Sequence, residues 1–222
     1  MLSDDLRGFG PLGILAILVI VLAGHVSVGG MAVLPVGGLL ALLWVRLSRT
    51  PWREIGYVRP TSWIRTVAIG VLLGVALKFL TKIIILPLLG APPTNETYGF
   101  LVGNRAMLPV AVWGMCVVGG FGEETVFRGF AFERLGKLFG SSVAALTSIV
   151  VLTSAGFALL HYADQGLPGV EQAAITGLVF GTIFAVSRRI WIPMIAHAAY
   201  DLTALAIIYL NLESDVAHLV FK

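Results

Sequence analysis

The chain has 222 residues, 58% of them hydrophobic and only 12% charged, with a formal net charge of +3 and a mean hydropathy of +0.94. A soluble domain carries about 25% charged residues, so this sequence has too little polar surface to cover a water-soluble globule. The composition predicts an integral membrane protein forming a single domain over residues 1–222, and the spans below make it an all-α, polytopic transmembrane bundle of seven to eight helices. A modest positive charge in such a chain reports orientation rather than a nucleic-acid partner.

A spanning helix needs about 20 mostly apolar residues. Taken in chain order, the candidate spans are 10–27, 31–47, 64–89, 106–126, 142–161, 170–187 and 191–211. Asp4 and Asp5 precede the first, and no small-residue cleavage site follows it, so it reads as an uncleaved helix rather than a signal peptide. Prolines and glycines mark the joints at Thr50-Pro51, Arg59-Pro60, Gly90 to Pro93 and Leu167 to Gly169. The piece Gly129–Phe139 is amphipathic, with Glu133 and Lys137 spaced for an i,i+4 pair, and is expected as an eighth, interfacial helix. Cys116, the single cysteine, lies in an apolar run and is expected as a buried packing residue.

With the N-terminus cytoplasmic, Arg7, Arg46, Arg49, Arg53, Arg59, Arg65, Arg134, Lys137, Arg188 and Arg189 all fall inside, against Arg105 and Lys222 outside. The positive-inside rule therefore places the N-terminus in the cytoplasm of a multi-pass cell-membrane protein, and seven spans put the C-terminus outside. Lys78, Lys82 and Arg128 remain within the spans. Lys78 and Lys82 form an i,i+4 pair that can snorkel or face a wet cavity, and snorkelling is the expectation.

Ionisable side chains in lipid cost several kcal/mol and usually face a cavity or one another. Here they gather at three places. In Glu123-Glu124-x-x-x-Arg128, Glu124 and Arg128 share a helix face, with the acid N-terminal to the base, the favourable order. Glu123 points about 100° away. It is left without a sequence partner, as suits a general base. Phe157 and His161 share a face near the end of the fifth segment, and His197 and Asp201 share one on the seventh. A histidine positioned by an acid can join proton transfer or donate to an oxyanion. Each group alone also admits a bland reading: an interfacial histidine, or a Glu–Arg clasp between helices. His25 and His218 have no nearby partner in sequence and are not site candidates.

EETVFR, FALLH and HAAYD together resemble the CPBP family of intramembrane proteases, which includes the type II CAAX prenyl proteases and the bacteriocin-immunity proteins. That family carries E-E-x-x-x-R, F-x-x-x-H and H-x-x-x-N or D, each on a different helix, in this order. Glu123, Glu124 and Arg128 match the first, Phe157 and His161 the second, His197 and Asp201 the third, over about residues 119–201. The resemblance implies hydrolysis of a peptide bond in a membrane-associated or lipidated protein or peptide. In the implied mechanism Glu123 and His161 hold and activate a water. His197, with Asp201, stabilises the oxyanion, while Glu124 and Arg128 shape the site. The prenyl proteases end the last motif in Asn, which can donate to an oxyanion. An ionised Asp201 cannot, and could instead orient His197. A zinc ion on Glu123, His161 and His197 is the metalloprotease alternative; a metal-free, glutamate-dependent hydrolase is preferred, since no H-E-x-x-H is present. The partners implied are membrane lipid and a membrane-associated substrate. An ion- or proton-coupled transporter and a non-catalytic scaffold or immunity protein are the competing readings.

Depth adds one expectation. If the cytoplasmic turns lie level, His197 sits on the order of 10–15 Å nearer the cytoplasm than Glu123 and His161. One shared site then requires a segment to be broken, tilted or short. Gly129–Phe139 lying flat is the expected solution, with a cavity open to the cytoplasm.

Overall fold

A computed structural model describes residues 2–23 and 35–221. The expectations for His25, for 24–27 and for 31–34 lie outside these residues. The described residues form helices and contain no strand. We number the helices α1 Leu2–Arg7, α2 Pro11–Ala23, α3 Val36–Leu47, α4 Trp63–Leu88, α5 Arg105–Phe139, α6 Val143–Leu160, α7 Tyr162–Ser187, α8 Trp191–Tyr209 and α9 Glu213–Ala217.

Five of these, α4 to α8, are long and apolar enough to cross a membrane; α2 and α3 are apolar but shorter within the described residues. Their outward faces carry large apolar side chains such as Ile64, Leu72, Val143 and Val186, all strongly exposed. Water would reject that surface and lipid accepts it. Local chemistry sets several ends. Ser62 and Ser142 cap α4 and α6 by accepting from the Arg65 and Ala145 backbone amides. Arg188, in a left-handed conformation, terminates α7.

Helix α5 differs from the expected pair of segments. It runs from Arg105 to Phe139 as one 35-residue helix, so Gly129–Phe139 is its continuation and not a separate interfacial piece. At ~1.5 Å per residue such a helix reaches on the order of 50 Å, beyond a ~30 Å hydrocarbon core. Its last turns are accordingly polar. Glu133 pairs with Arg134 at 2.6 Å and also with Lys137, the i,i+4 pair read from the sequence. Hydropathy alone cannot tell a continued helix from one lying on the surface, since both are amphipathic there. Residues 114–123 and 125–130 wind as wider π turns, a local geometry frequent at functional sites. Helix α7 also starts earlier than the expected 170. Its first turn follows His161 directly, and the chain breaks at Gly166 (φ 62°, ψ −157°) just before Pro168.

Small residues bring the spans together. Gly74 lets α4 approach α8 closely: a side chain there would collide with the Ala196 carbonyl and Tyr200. The basic turns gather at one end of the bundle. The Ile190 amide donates to the Gly56 carbonyl at 3.0 Å and Trp191 Nε1 to the Val58 carbonyl at 2.9 Å, joining the 51–60 and 187–190 turns. At the same end Arg134 donates to the Arg7 carbonyl and Arg7 pairs with Glu54. Gly129 packs against Ile55 and Ile190, level with this turn, so Ala131–Phe139 extends past the level of Arg188 and Arg189. That axial offset removes the depth conflict without any segment lying flat.

Cys116 is half-buried rather than fully buried. Lys78 and Lys82 do not snorkel. Both are buried and face the interior, Lys78 donating to Gln172 Oε1 at 2.8 Å and Lys82 to Glu213 Oε1 at 2.9 Å. Their partners lie 94 and 131 residues away in sequence, which is why spacing within α4 could not reveal them.

Candidate functional site

The middle of the bundle is organised around Glu124, which is fully buried. Its Oε1 accepts from Arg128 Nη1 at 2.7 Å, the i,i+4 contact that the spacing suggests. The same oxygen lies 2.7 Å from His197 Nδ1. A carboxylate oxygen can only accept here, so the ring donates through Nδ1. The guanidinium of Arg128 is sandwiched by aromatic faces, 4.7 Å from the Phe157 ring centre and 5.8 Å from that of Phe180. Its Nη2 also reaches the Gly177 carbonyl at 3.4 Å. Helices α5, α6, α7 and α8 are thus tied at one level by one ion pair and its ring contacts.

The other nitrogen of His197 faces a second acidic pair. Nε2 lies 3.8 Å from Glu123 Oε2 and 3.5 Å from Asp201 Oδ2. The two adjacent glutamates therefore attend opposite nitrogens of one imidazole. The expected His197–Asp201 relation is present as proximity rather than a hydrogen bond, because Glu124 holds the ring. That role of Glu124 was missed in the sequence, where its i,i+4 partner Arg128 appeared sufficient. Glu123 keeps 18% side-chain exposure and Asp201 28%, against 6% for His197, so the carboxylates face open space while the ring backs onto protein.

His161 sits at the turn between α6 and α7, its ring 4.6 Å from that of Phe157. Nδ1 is 2.8 Å from the Phe157 carbonyl, an acceptor, so this nitrogen carries the proton. Nε2 of the neutral ring then has a free lone pair. Phe157 lies between the two histidines, 5.9 Å from His197 on its other side. The F-x-x-x-H spacing is thereby explained by contacts at both ends.

Glu123, Phe157, His161, His197 and Asp201 all line a single cavity of about 720 Å³. Gly119 lines it too, and a side chain there would meet Asp201 Oδ2 and His197 Nε2. The glycine-rich GGFGEE run thus includes one position that must be bare to keep the imidazole accessible. From His197 the cavity continues to the segment 92–101, to Asp164 and Gln165, and to Glu213. These lie at the end of the bundle opposite the Arg-rich turns, whereas the sequence placed the opening at the basic end.

The far end of the cavity is held by polar contacts. Gln165 Nε2 donates to the Tyr98 hydroxyl at 3.0 Å, and Thr97 Oγ1 to the Asp164 carbonyl at 3.2 Å. Tyr98 lies outside the spans. Burial, and then the negative charges of Asp201, Glu123 and Asp164, push its phenol up to about 12, so it stays a neutral hydroxyl at ordinary pH. Glu213 accepts from Lys82 and from the Asn95 backbone amide, tying α9 to the 92–98 segment.

Among the described residues, no group of three or more His, Cys, Asp or Glu side chains is disposed to hold a metal ion. His218 bonds locally to Ser214, away from the site.

Residues 105–203 match the family model described as type II CAAX prenyl endopeptidase Rce1-like. All three motifs fall within that match, so the resemblance stated from them holds over this region. No curated protein and no solved structure matches the chain.

Proposed function

We propose, starting from the similarity of residues 105–203 to the Rce1-like endopeptidases, that this multi-pass membrane protein is an intramembrane endopeptidase. The supporting observation is the placement of His197 between Glu124 and Glu123 at the wall of a cavity that His161 also lines. In our reading Glu123 accepts a proton from a water whose other hydrogen is held by His161 Nε2. The resulting hydroxide adds to the carbonyl carbon of the scissile peptide. His197 acts as an imidazolium, its Nδ1–H held by Glu124 and its Nε2–H donated to the oxyanion. Collapse breaks the C–N bond, and Glu123 returns the proton to the leaving amine. Glu124 and Arg128 position the imidazole, and Asp201 biases its Nε2–H. The chemistry is carried by these side chains and water, without a metal cofactor. The partners are lipid around the spans and a membrane-associated peptide or lipidated protein in the cavity.

We further place the basic end and the N-terminus in the cytoplasm, count α2 and α3 with α4 to α8 as seven spans, and treat residues 1–222 as one domain. The cavity then faces the exterior.

The test is cleavage of a peptide library by protein in lipid nanodiscs, read by mass spectrometry. Cleavage lost in both Glu123→Ala and His161→Ala supports the proposal. Proton flux into liposomes with no cleavage would replace it with a transporter. A cellular effect that survives both substitutions would replace it with a scaffold.

A further inference from the structure

Lys78, Lys82 and Arg128 are the basic side chains that face the interior of the bundle around the cavity. Arg128 is neutralised by Glu124, and Lys82 by Glu213. Lys78 differs. It is 8% exposed, lines the cavity, and forms no ion pair with any described residue. Its Nζ donates to the neutral amide oxygen Gln172 Oε1 at 2.8 Å and stands 4.7 Å from the Tyr200 ring centre. Tyr200 donates to the same Gln172 oxygen at 3.3 Å, so that acceptor is shared. Asp201, beside Tyr200 in sequence, lies against His197 Nε2, and both it and Glu213 act on Lys78 only through space, with no hydrogen bond or ion pair to it. An ammonium has three donors. A buried one that meets a single shared amide and a ring is under-satisfied, and its charge is expensive unless something anionic joins it.

We propose that Lys78 is the anion-recognition residue of this cavity and binds a carboxylate of the substrate chain. This rests on the peptidase reading for its substrate class. Placement agrees with it. Tyr200 follows His197 by three residues on α8, roughly one turn or ~5 Å along the axis. At ~3.3–3.6 Å per extended residue, a carboxylate on Lys78 belongs to a group one to three residues from a bond lying against His197. A cavity of about 720 Å³ has the size of sites that take drug-sized ligands, hence a few residues of peptide rather than a folded partner. The carboxylate can be the chain terminus or an Asp or Glu side chain.

The test is binding, which does not require turnover. Fluorescent apolar hexapeptides are compared by thermophoresis on protein in nanodiscs: a free-acid form, its C-terminal amide, and an amide form carrying one internal Glu. The wild-type protein should bind a carboxylate-bearing form at least about tenfold more tightly than the neutral amide, as for a charge-assisted hydrogen bond in a buried site. Preference for the free acid assigns the chain terminus, and preference for the Glu peptide assigns a side chain. Lys78→Met should abolish the preference and Lys78→Arg should keep part of it. Equal binding of all three peptides to the wild type would overturn the proposal, whatever the variants do. So would a preference that persists in Lys78→Met. A Lys78-dependent preference in a protein that cleaves nothing would leave this inference standing and sink the peptidase reading.

Discussion

Glu124 and Arg128 offer the most quantitative test of how the site is built. Both are essentially fully buried, and Arg128 Nη1 meets Glu124 Oε1 at 2.7 Å. An exposed pair of this kind contributes only ~0–1 kcal/mol. Burial changes the arithmetic. Removing one partner strands the other charge in low dielectric, at about 3–5 kcal/mol. Without Glu124, Arg128 keeps only the Gly177 carbonyl at 3.4 Å and two aromatic faces, which points to the upper part of that range. Glu124→Leu should therefore destabilise by about 4–5 kcal/mol, and Arg128→Met, which leaves Glu124 its hydrogen bond from His197 Nδ1, by about 3 kcal/mol. The double variant strands neither charge of the pair, and the loss of the His197 Nδ1 acceptor is common to it and Glu124→Leu. It should be more stable than the sum of the singles implies, by at least ~2 kcal/mol. Reversible SDS-induced unfolding in mixed micelles supplies the three values. Additivity within ~0.5 kcal/mol would refute the reasoning, because it would mean the two side chains do not share a buried charge balance.

Other substitutions probe single contacts. Gly119→Ala places a methyl group against Asp201 Oδ2 and His197 Nε2. Peptide cleavage should fall by about tenfold to a hundredfold, with helix content by circular dichroism unchanged. Asp201→Asn should keep kcat/KM within about tenfold, since Asp201 makes no hydrogen bond to the ring that Glu124 already orients. Glu213→Gln weakens the joint hold on Lys82 and the Asn95 amide. Hydrogen exchange should rise in 92–98 and 213–217 while the amides of α8 stay protected.

Much of the bundle could be read from the sequence, because charge is conspicuous where nearly every neighbour is apolar. The same contrast exposed Glu123, Glu124, Arg128, His161, His197 and Asp201. What could not be read depends on how helices sit relative to one another. Gly129 packs level with Ile190, and this offset, invisible in hydropathy, brings His197 to Glu124. The π turns of α5 have no pattern that distinguishes them from an ordinary apolar helix. Lys78 was conspicuous as a charge in α4, yet its partners Gln172 and Tyr200 come from α7 and α8. Gly119 showed only as one glycine among several until the imidazole appeared beside it.

The central claim is that Glu123 removes a proton from water at this cavity, and Glu123→Gln tests it most directly. The amide preserves shape at a side chain whose ion-pair contact is His197 Nε2 at a long 3.8 Å, so stability should change little. Single-turnover cleavage of the best library peptide should slow by about 10²- to 10⁴-fold, the usual contribution of a positioned general base. A folded Glu123→Gln protein that cuts within about threefold of the wild-type rate would contradict the account.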